Sequence, residues 1–208
     1  MHRVPAATPM WYQFLQTIPQ RVVASLYKSP AHGWKPIGQI TLVTTATAGV
    51  VSVASGFIDP MNDFAPPRTT RDILRACSAL VVPGLLEELM WRAALLPTPP
   101  ATGISCLTSL LLLRDSLVPR GWTRSAVAVL AMHVSFHPLF AALAYPRGRQ
   151  VFFDVRFLLL ASIVLGGSTL SYLVSGGSVW AAAVTHAVPV IVWRDFFGGE
   201  TKLRGGGG

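Results

Sequence analysis

The chain has 208 residues, 51% of them hydrophobic and only 12% charged, with a formal net charge of +8 and a mean hydropathy of +0.50. Soluble domains carry about 25% charged residues, so this composition excludes an ordinary soluble globule and predicts one integral, multi-pass membrane domain. The cations lie between apolar runs, at Arg68, Arg71, Arg114, Arg120, Arg124, Arg147, Arg149, Lys202 and Arg204. That placement suits the anionic headgroups of a lipid bilayer and leaves no room for the soluble basic face that nucleic-acid binding needs.

In chain order, residues 1–36 form a basic N-terminal segment, and the first acidic residue is Asp59. Trp11, Phe14, Leu15, Ile18, Val22 and Leu26 recur at helical spacing, which predicts an amphipathic helix over 11–28 lying at the membrane interface. No continuous apolar core follows Arg3, which disfavours a cleaved signal peptide. Composition leaves an organelle transit peptide open.

Residues 37–58 and 157–193 contain no Asp, Glu, Lys or Arg, and Gly176-Gly177 divides the second run. Crossing the hydrocarbon takes about 20 mostly apolar residues. The spans expected are 37–58, 72–96, 104–118, 122–145, 157–175 and 178–197, an all-α polytopic bundle of about six membrane segments. The third is short and contains Arg114-Asp115, so it reads equally as a re-entrant or half-span element. A transmembrane domain over 37–199 and a flexible tail over 200–208 complete the organisation, and the positive-inside rule favours the N-terminus in the cytoplasm. Cys77 and Cys106 stand apart in apolar surroundings and read as two small buried residues.

Within span 72–96 lies Pro83-Gly84-Leu85-Leu86-Glu87-Glu88-Leu89-Met90-Trp91-Arg92. Carboxylates inside an apolar helix are costly and call for a function. Neighbouring helical residues point about 100° apart, so Glu87 and Glu88 cannot do the same job. Glu88 and Arg92 stand i,i+4 with the acid first, the favourable order for an ion pair. Glu87 is left without a local partner, and a desolvated carboxylate is a better proton acceptor. Glu87 is therefore the catalytic candidate and Glu88–Arg92 its brace; the alternative is a helix end with all three charges wet. His133 and His137 stand i,i+4 on span 122–145, and His186 lies mid-span on 178–197. Neutral imidazoles can stay in a membrane and can both give and take a proton.

The combination resembles the CPBP or Abi group of intramembrane proteases, which includes the type II CAAX prenyl endopeptidases. That pattern is Glu-Glu-x-x-x-Arg, then Phe-x-x-x-His, then His-x-x-x-Asn on separate membrane helices. The first motif is complete at Glu87–Arg92. The second reads either as His133 to His137, with His133 in the Phe position, or as Val129 to His133. Phe136-His137-Pro138-Leu139 and the later Phe153-Asp154-Val155-Arg156-Phe157 favour His137. In the third motif His186 is followed by Val190 in the Asn position, and Trp193 and Gly198-Gly199 look like the bacterial branch.

The resemblance covers about residues 70–199. It implies a metal-free endopeptidase in which Glu87 and His137 activate water and His186 steadies the oxyanion, with Glu88, Arg92 and His133 close by. The substrate it implies is a membrane-associated protein or peptide, of which a prenylated C-terminus is one example. Two further readings stand beside it. Two His at i,i+4 with His186 and Glu87 suit a divalent metal such as zinc, though His-Glu-x-x-His is absent. Val190 suits a non-catalytic scaffold or chaperone that keeps the protease fold. Gly166-Gly167-Ser168-Thr169 ahead of His186 superficially fits a rhomboid-type Ser–His dyad, but glycines of this kind also mark close helix packing.

Overall fold

A computed structural model of the protein describes residues 10–100 and 118–204. Among these residues the chain is helical, with no strand. The long helices are α1 (Met10–Tyr27), α2 (Trp34–Ala54), α3 (Thr70–Ser78), α4 (Arg120–Leu143), α5 (Val155–Val174) and α6 (Val179–Ile191), closed by a short α7 (Gly199–Leu203). Between α3 and α4 lie a π-turn at Leu80–Leu85, a helical turn at Leu86–Glu88 and a second π-turn at Leu89–Ala93.

Among the described residues three helices, α2, α4 and α5, are long and apolar enough to cross a membrane. Their outward faces carry bare apolar side chains: Leu42 is 70% exposed, Val50 69%, Val127 61% and Leu143 77%. Uncovered apolar faces of this kind are rare on water-soluble proteins and suit contact with lipid. The expected span 178–197 is a 13-residue α-helix continued by a π-turn, Val192–Phe196. The expected span 104–118 falls almost wholly outside the described residues.

Span 72–96 is not one helix. Val82 leaves the helical region at φ −131° and ψ 113°, because the ring of Pro83 disfavours α geometry in the residue before it and removes a donor. The chain restarts at an angle. Gly84 makes the new direction possible: a Cβ there would lie 2.8 Å from the Ala79 carbonyl oxygen and 3.2 Å from Ala187 Cβ.

Helix α6 is the central post, packed against α2, α5 and the Leu80–Leu85 turn. Its buried residues are mostly small, Ala181, Ala182, Ala183 and Ala187 among them, and small side chains let helices approach closely where no hydrophobic effect drives them together. Polar contacts reinforce the packing. Thr185 Oγ1 lies 2.8 Å from Thr41 Oγ1 and 2.7 Å from Ser171 Oγ, joining α2, α5 and α6. The α5–α6 hairpin turns at Gly176 (φ 71°) and Gly177 (φ 103°), left-handed values that favour glycine.

Helix α1 matches the expected amphipathic segment within a residue at each end and runs through Pro19. It docks through Arg21, whose guanidinium donates to the carbonyls of Leu96 (2.9 Å) and Ala94 (2.8 Å). The segment read as a tail beginning at residue 200 is instead partly anchored: Lys202 Nζ donates to Phe57 O at 2.7 Å and to Asp63 Oδ2 at 2.8 Å. Cys77 also departs from the sequence reading. It is exposed on α3, whose only buried residue is Ala76; Cys106 lies outside the described residues.

Candidate active site

The kink at Val82–Pro83 aims the Glu87–Arg92 turn at α4 and α6. Glu88 and Arg92 have no exposed side-chain surface, and Glu88 Oε2 stands 3.1 Å from Arg92 Nε. These two atoms make no hydrogen bond to any other described group, so the contact is an ion pair held by charge rather than by directed geometry. The rest of the guanidinium is spoken for: Nη1 lies 2.6 Å from His133 Nδ1, and Nη2 donates to Leu165 O at 2.7 Å and Thr169 Oγ1 at 3.3 Å. Arg92 thus ties its own turn to α4 and α5. The expected Glu88–Arg92 brace is present. Its anchors on α5 had no signal in the sequence beyond the Gly166–Thr169 run.

These contacts assign the imidazole tautomers. Arginine has donors only, so His133 Nδ1 accepts from Arg92 and the ring proton of neutral His133 sits on Nε2. That N–H points at Glu87 Oε2, 2.8 Å away. Trp91 stacks on the same ring at 4.7 Å and 15°. His186 has the opposite polarity. Its Nδ1–H donates to Glu88 Oε1 at 2.9 Å, which leaves the Nε2 lone pair free and 3.9 Å from Glu87 Oε2.

All six residues singled out from the sequence gather in one place, but not with the expected pairing. Glu87 meets His133 and not His137, the reverse of the register that the flanking residues favour. His137 Nδ1–H turns back along α4 to His133 O (3.1 Å) and Val134 O (3.3 Å), and its ring stacks 5.7 Å from His133. Ser168 is not part of a dyad: its hydroxyl donates to Ala182 O at 3.2 Å. Among the described residues no three His, Cys, Asp or Glu side chains are arranged to hold a metal ion.

Glu87 is the open member of the set, with 31% of its side chain exposed against 0% for Glu88. The space it faces is a chamber of about 510 Å³, lined by Glu87, His137, His186 and Val190 together with Phe57, Phe136, Phe140, Phe152, Phe157 and Trp193. This aromatic wall was not foreseen; its residues come from five separate segments, and only Phe136 and Phe140 share a helical spacing. The chamber joins one carboxylate and the Nε2 atoms of His186 and His137, neither hydrogen-bonded among the described residues, to a large apolar surface, an arrangement able to hold water against an apolar chain.

The type II CAAX prenyl endopeptidase Rce1-like family matches residues 69–192, more than half of the chain and the part that contains every residue of this cluster. Comparison with curated proteins and with solved structures gives no match. The chain therefore belongs to the Rce1-like family of type II CAAX prenyl endopeptidases.

Proposed function

We propose that the protein is a glutamate-dependent intramembrane endopeptidase that hydrolyses a peptide bond near the C-terminus of a membrane-associated, prenylated protein, with Glu87 and His186 holding the attacking water. The supporting observation is the 3.9 Å gap between Glu87 Oε2 and His186 Nε2 at the wall of the apolar chamber. That separation is too long for a direct hydrogen bond and leaves room for one water to touch both atoms. Both atoms are acceptors, so a bridging water donates to each and turns its lone pairs outward to a scissile carbonyl. On attack, one water proton passes to Glu87 and is then delivered to the leaving amine, while the hydroxyl oxygen joins the carbonyl carbon. His133 Nε2–H holds Glu87 in place, Glu88 orients His186, and Arg92 holds both Glu88 and His133. His137 lines the chamber beside the scissile bond.

The test is hydrolysis of a prenylated peptide by purified protein in liposomes. Glu87→Ala and His186→Ala are expected to abolish cleavage while the variants still accumulate in the membrane, and a chelator is expected to leave the wild-type rate unchanged. Full activity in Glu87→Ala refutes the mechanism, and loss on chelation with recovery on added zinc replaces it with a metal-dependent one. A scaffold role draws support from Val190, an apolar residue where the family pattern has Asn. It is the better reading if Glu87→Gln and His186→Ala leave the cellular effect intact.

A further inference from the structure

One face of α6 and its π-turn extension lines the chamber from His186 through Val190 to Arg194. These residues are spaced four apart. At about 1.5 Å per residue, Arg194 lies roughly 12 Å along the axis from His186. A peptide extends about 3.3–3.6 Å per residue, so three residues beyond a bond cleaved at Glu87 and His186 reach about 10–11 Å, the neighbourhood of Arg194. The guanidinium there is fixed rather than loose. Its Nε and Nη2 stand 3.0 and 2.9 Å from Asp195 Oδ2, and Nη2 also donates to Arg75 O at 2.9 Å. Asp195, with a fully buried side chain, is held on its other oxygen by Arg75 Nε at 3.3 Å. Arg194 Nη1 makes no hydrogen bond among the described residues and keeps both its N–H groups available.

We propose that Arg194 is a specificity residue that receives the free α-carboxylate of the substrate about three residues past the scissile bond. This inference rests on the endopeptidase reading above and adds to it a ruler: the Glu87–His186 site at one end, a carboxylate receptor at the other. Arg75 also faces Asp72 at 3.5 Å, so the cluster of two Arg and two Asp is balanced before substrate arrives. Recognition therefore comes from directed donors in a low-dielectric wall and not from net charge. A charge-assisted hydrogen bond is about twice as strong as a neutral one, which sets the expected preference for carboxylate over carboxamide near tenfold.

The probe is a short peptide with an S-prenylated cysteine fourth from its end, made as the free acid and as the C-terminal amide. In wild-type protein kcat/KM is expected to favour the acid about tenfold, and in Arg194→Gln the ratio is expected to fall to about one, with Arg194→Lys between them. A ratio of one in the wild type, or an undiminished ratio in Arg194→Gln, overturns the proposal. Binding of both peptides to Glu87→Gln protein separates this result from hydrolysis itself. Tighter binding of the acid that is lost in Glu87→Gln/Arg194→Gln supports the carboxylate site even if the wild type cleaves neither peptide, in which case only the hydrolase reading fails. Equal binding of the two forms, or binding of neither, overturns the carboxylate site.

Discussion

Replacing Arg92 by Met removes the one group that holds three helical segments and two imidazoles in register. Met approximates the stem of Arg and adds no new polar atom, so the perturbation is chiefly the loss of the guanidinium. The Glu88 carboxylate, without exposed surface and 3.1 Å from Arg92 Nε, then keeps, among the described residues, only the Nδ1–H of His186 at 2.9 Å. Breaking a buried pair by removing one partner costs about 3–5 kcal/mol. The lost bonds to His133, Leu165 and Thr169 overlap with that figure rather than adding to it. The expected destabilisation is about 4 kcal/mol, or roughly a thousandfold in the folding equilibrium. The assay is denaturant titration in mixed micelles followed by tryptophan fluorescence, with Glu88→Gln and the double variant completing a cycle. Neutralising Glu88 removes the uncompensated charge, so Glu88→Gln/Arg92→Met should cost at least about 1 kcal/mol less than the sum of the single changes. A cost below about 1 kcal/mol for Arg92→Met, or strict additivity in the cycle, would refute the view that Arg92 is the charge that makes burial of Glu88 possible.

Three other outcomes are expected. Val190→Asn adds a donor to the chamber wall one helical turn beyond His186, and a donor aimed at the oxyanion is commonly worth about 2.7–4 kcal/mol; kcat is expected to rise at least tenfold, and an unchanged or lower kcat argues that position 190 does not face the reacting oxygen. His133→Ala is expected to abolish hydrolysis and His137→Ala to reduce it by no more than about tenfold, measured as kcat on the prenylated peptide; the opposite order restores the His137 register. Asp154, at the N-cap of α5, accepts from Arg156 N at 2.8 Å, and the Arg156 guanidinium, first among several contacts, holds its carboxyl below the usual range. Asp154→Ala should cost about 1 kcal/mol of stability. Because the carboxyl value is depressed in the folded state, the ionic part of this difference is present above about pH 4 and shrinks as pH falls through the lowered value. A difference that grows on acidification contradicts the pairing.

Much of the chemistry was legible from local pattern because helical geometry is local. Glu88 and Arg92 pair at i,i+4 as their spacing alone predicts, and carboxylates and imidazoles in apolar runs stand out because lipid makes them costly. What stayed hidden depended on rotation and on breaks in the helices. His133 and His137 share one face of α4, and no spacing rule says which of them meets a carboxylate on another helix. The choice goes to His133 because Arg92, anchored to Leu165 O on α5, reaches His133 Nδ1. The continuous span read over 72–96 failed at Val82, where the steric demand of Pro83 outweighs the apolar pattern of the segment. Asp195 sits beside the aromatic wall and Arg194 in it. In the sequence both look like ordinary charges at the end of a span.

By itself the sequence determined the solvent this protein lives in, the helical class and the identity of the ionisable groups, since hydropathy and the expense of charge in hydrocarbon are properties of the residues themselves. Tertiary structure alone decided which nitrogen faces which oxygen, that Glu87 stays open while Glu88 is sealed, and that aromatic residues from distant segments close around one chamber. Those are facts of angle and contact between helices, and they arise only when packing against α6 sets each helix's rotation and the kink before Pro83 aims the Glu87–Arg92 turn.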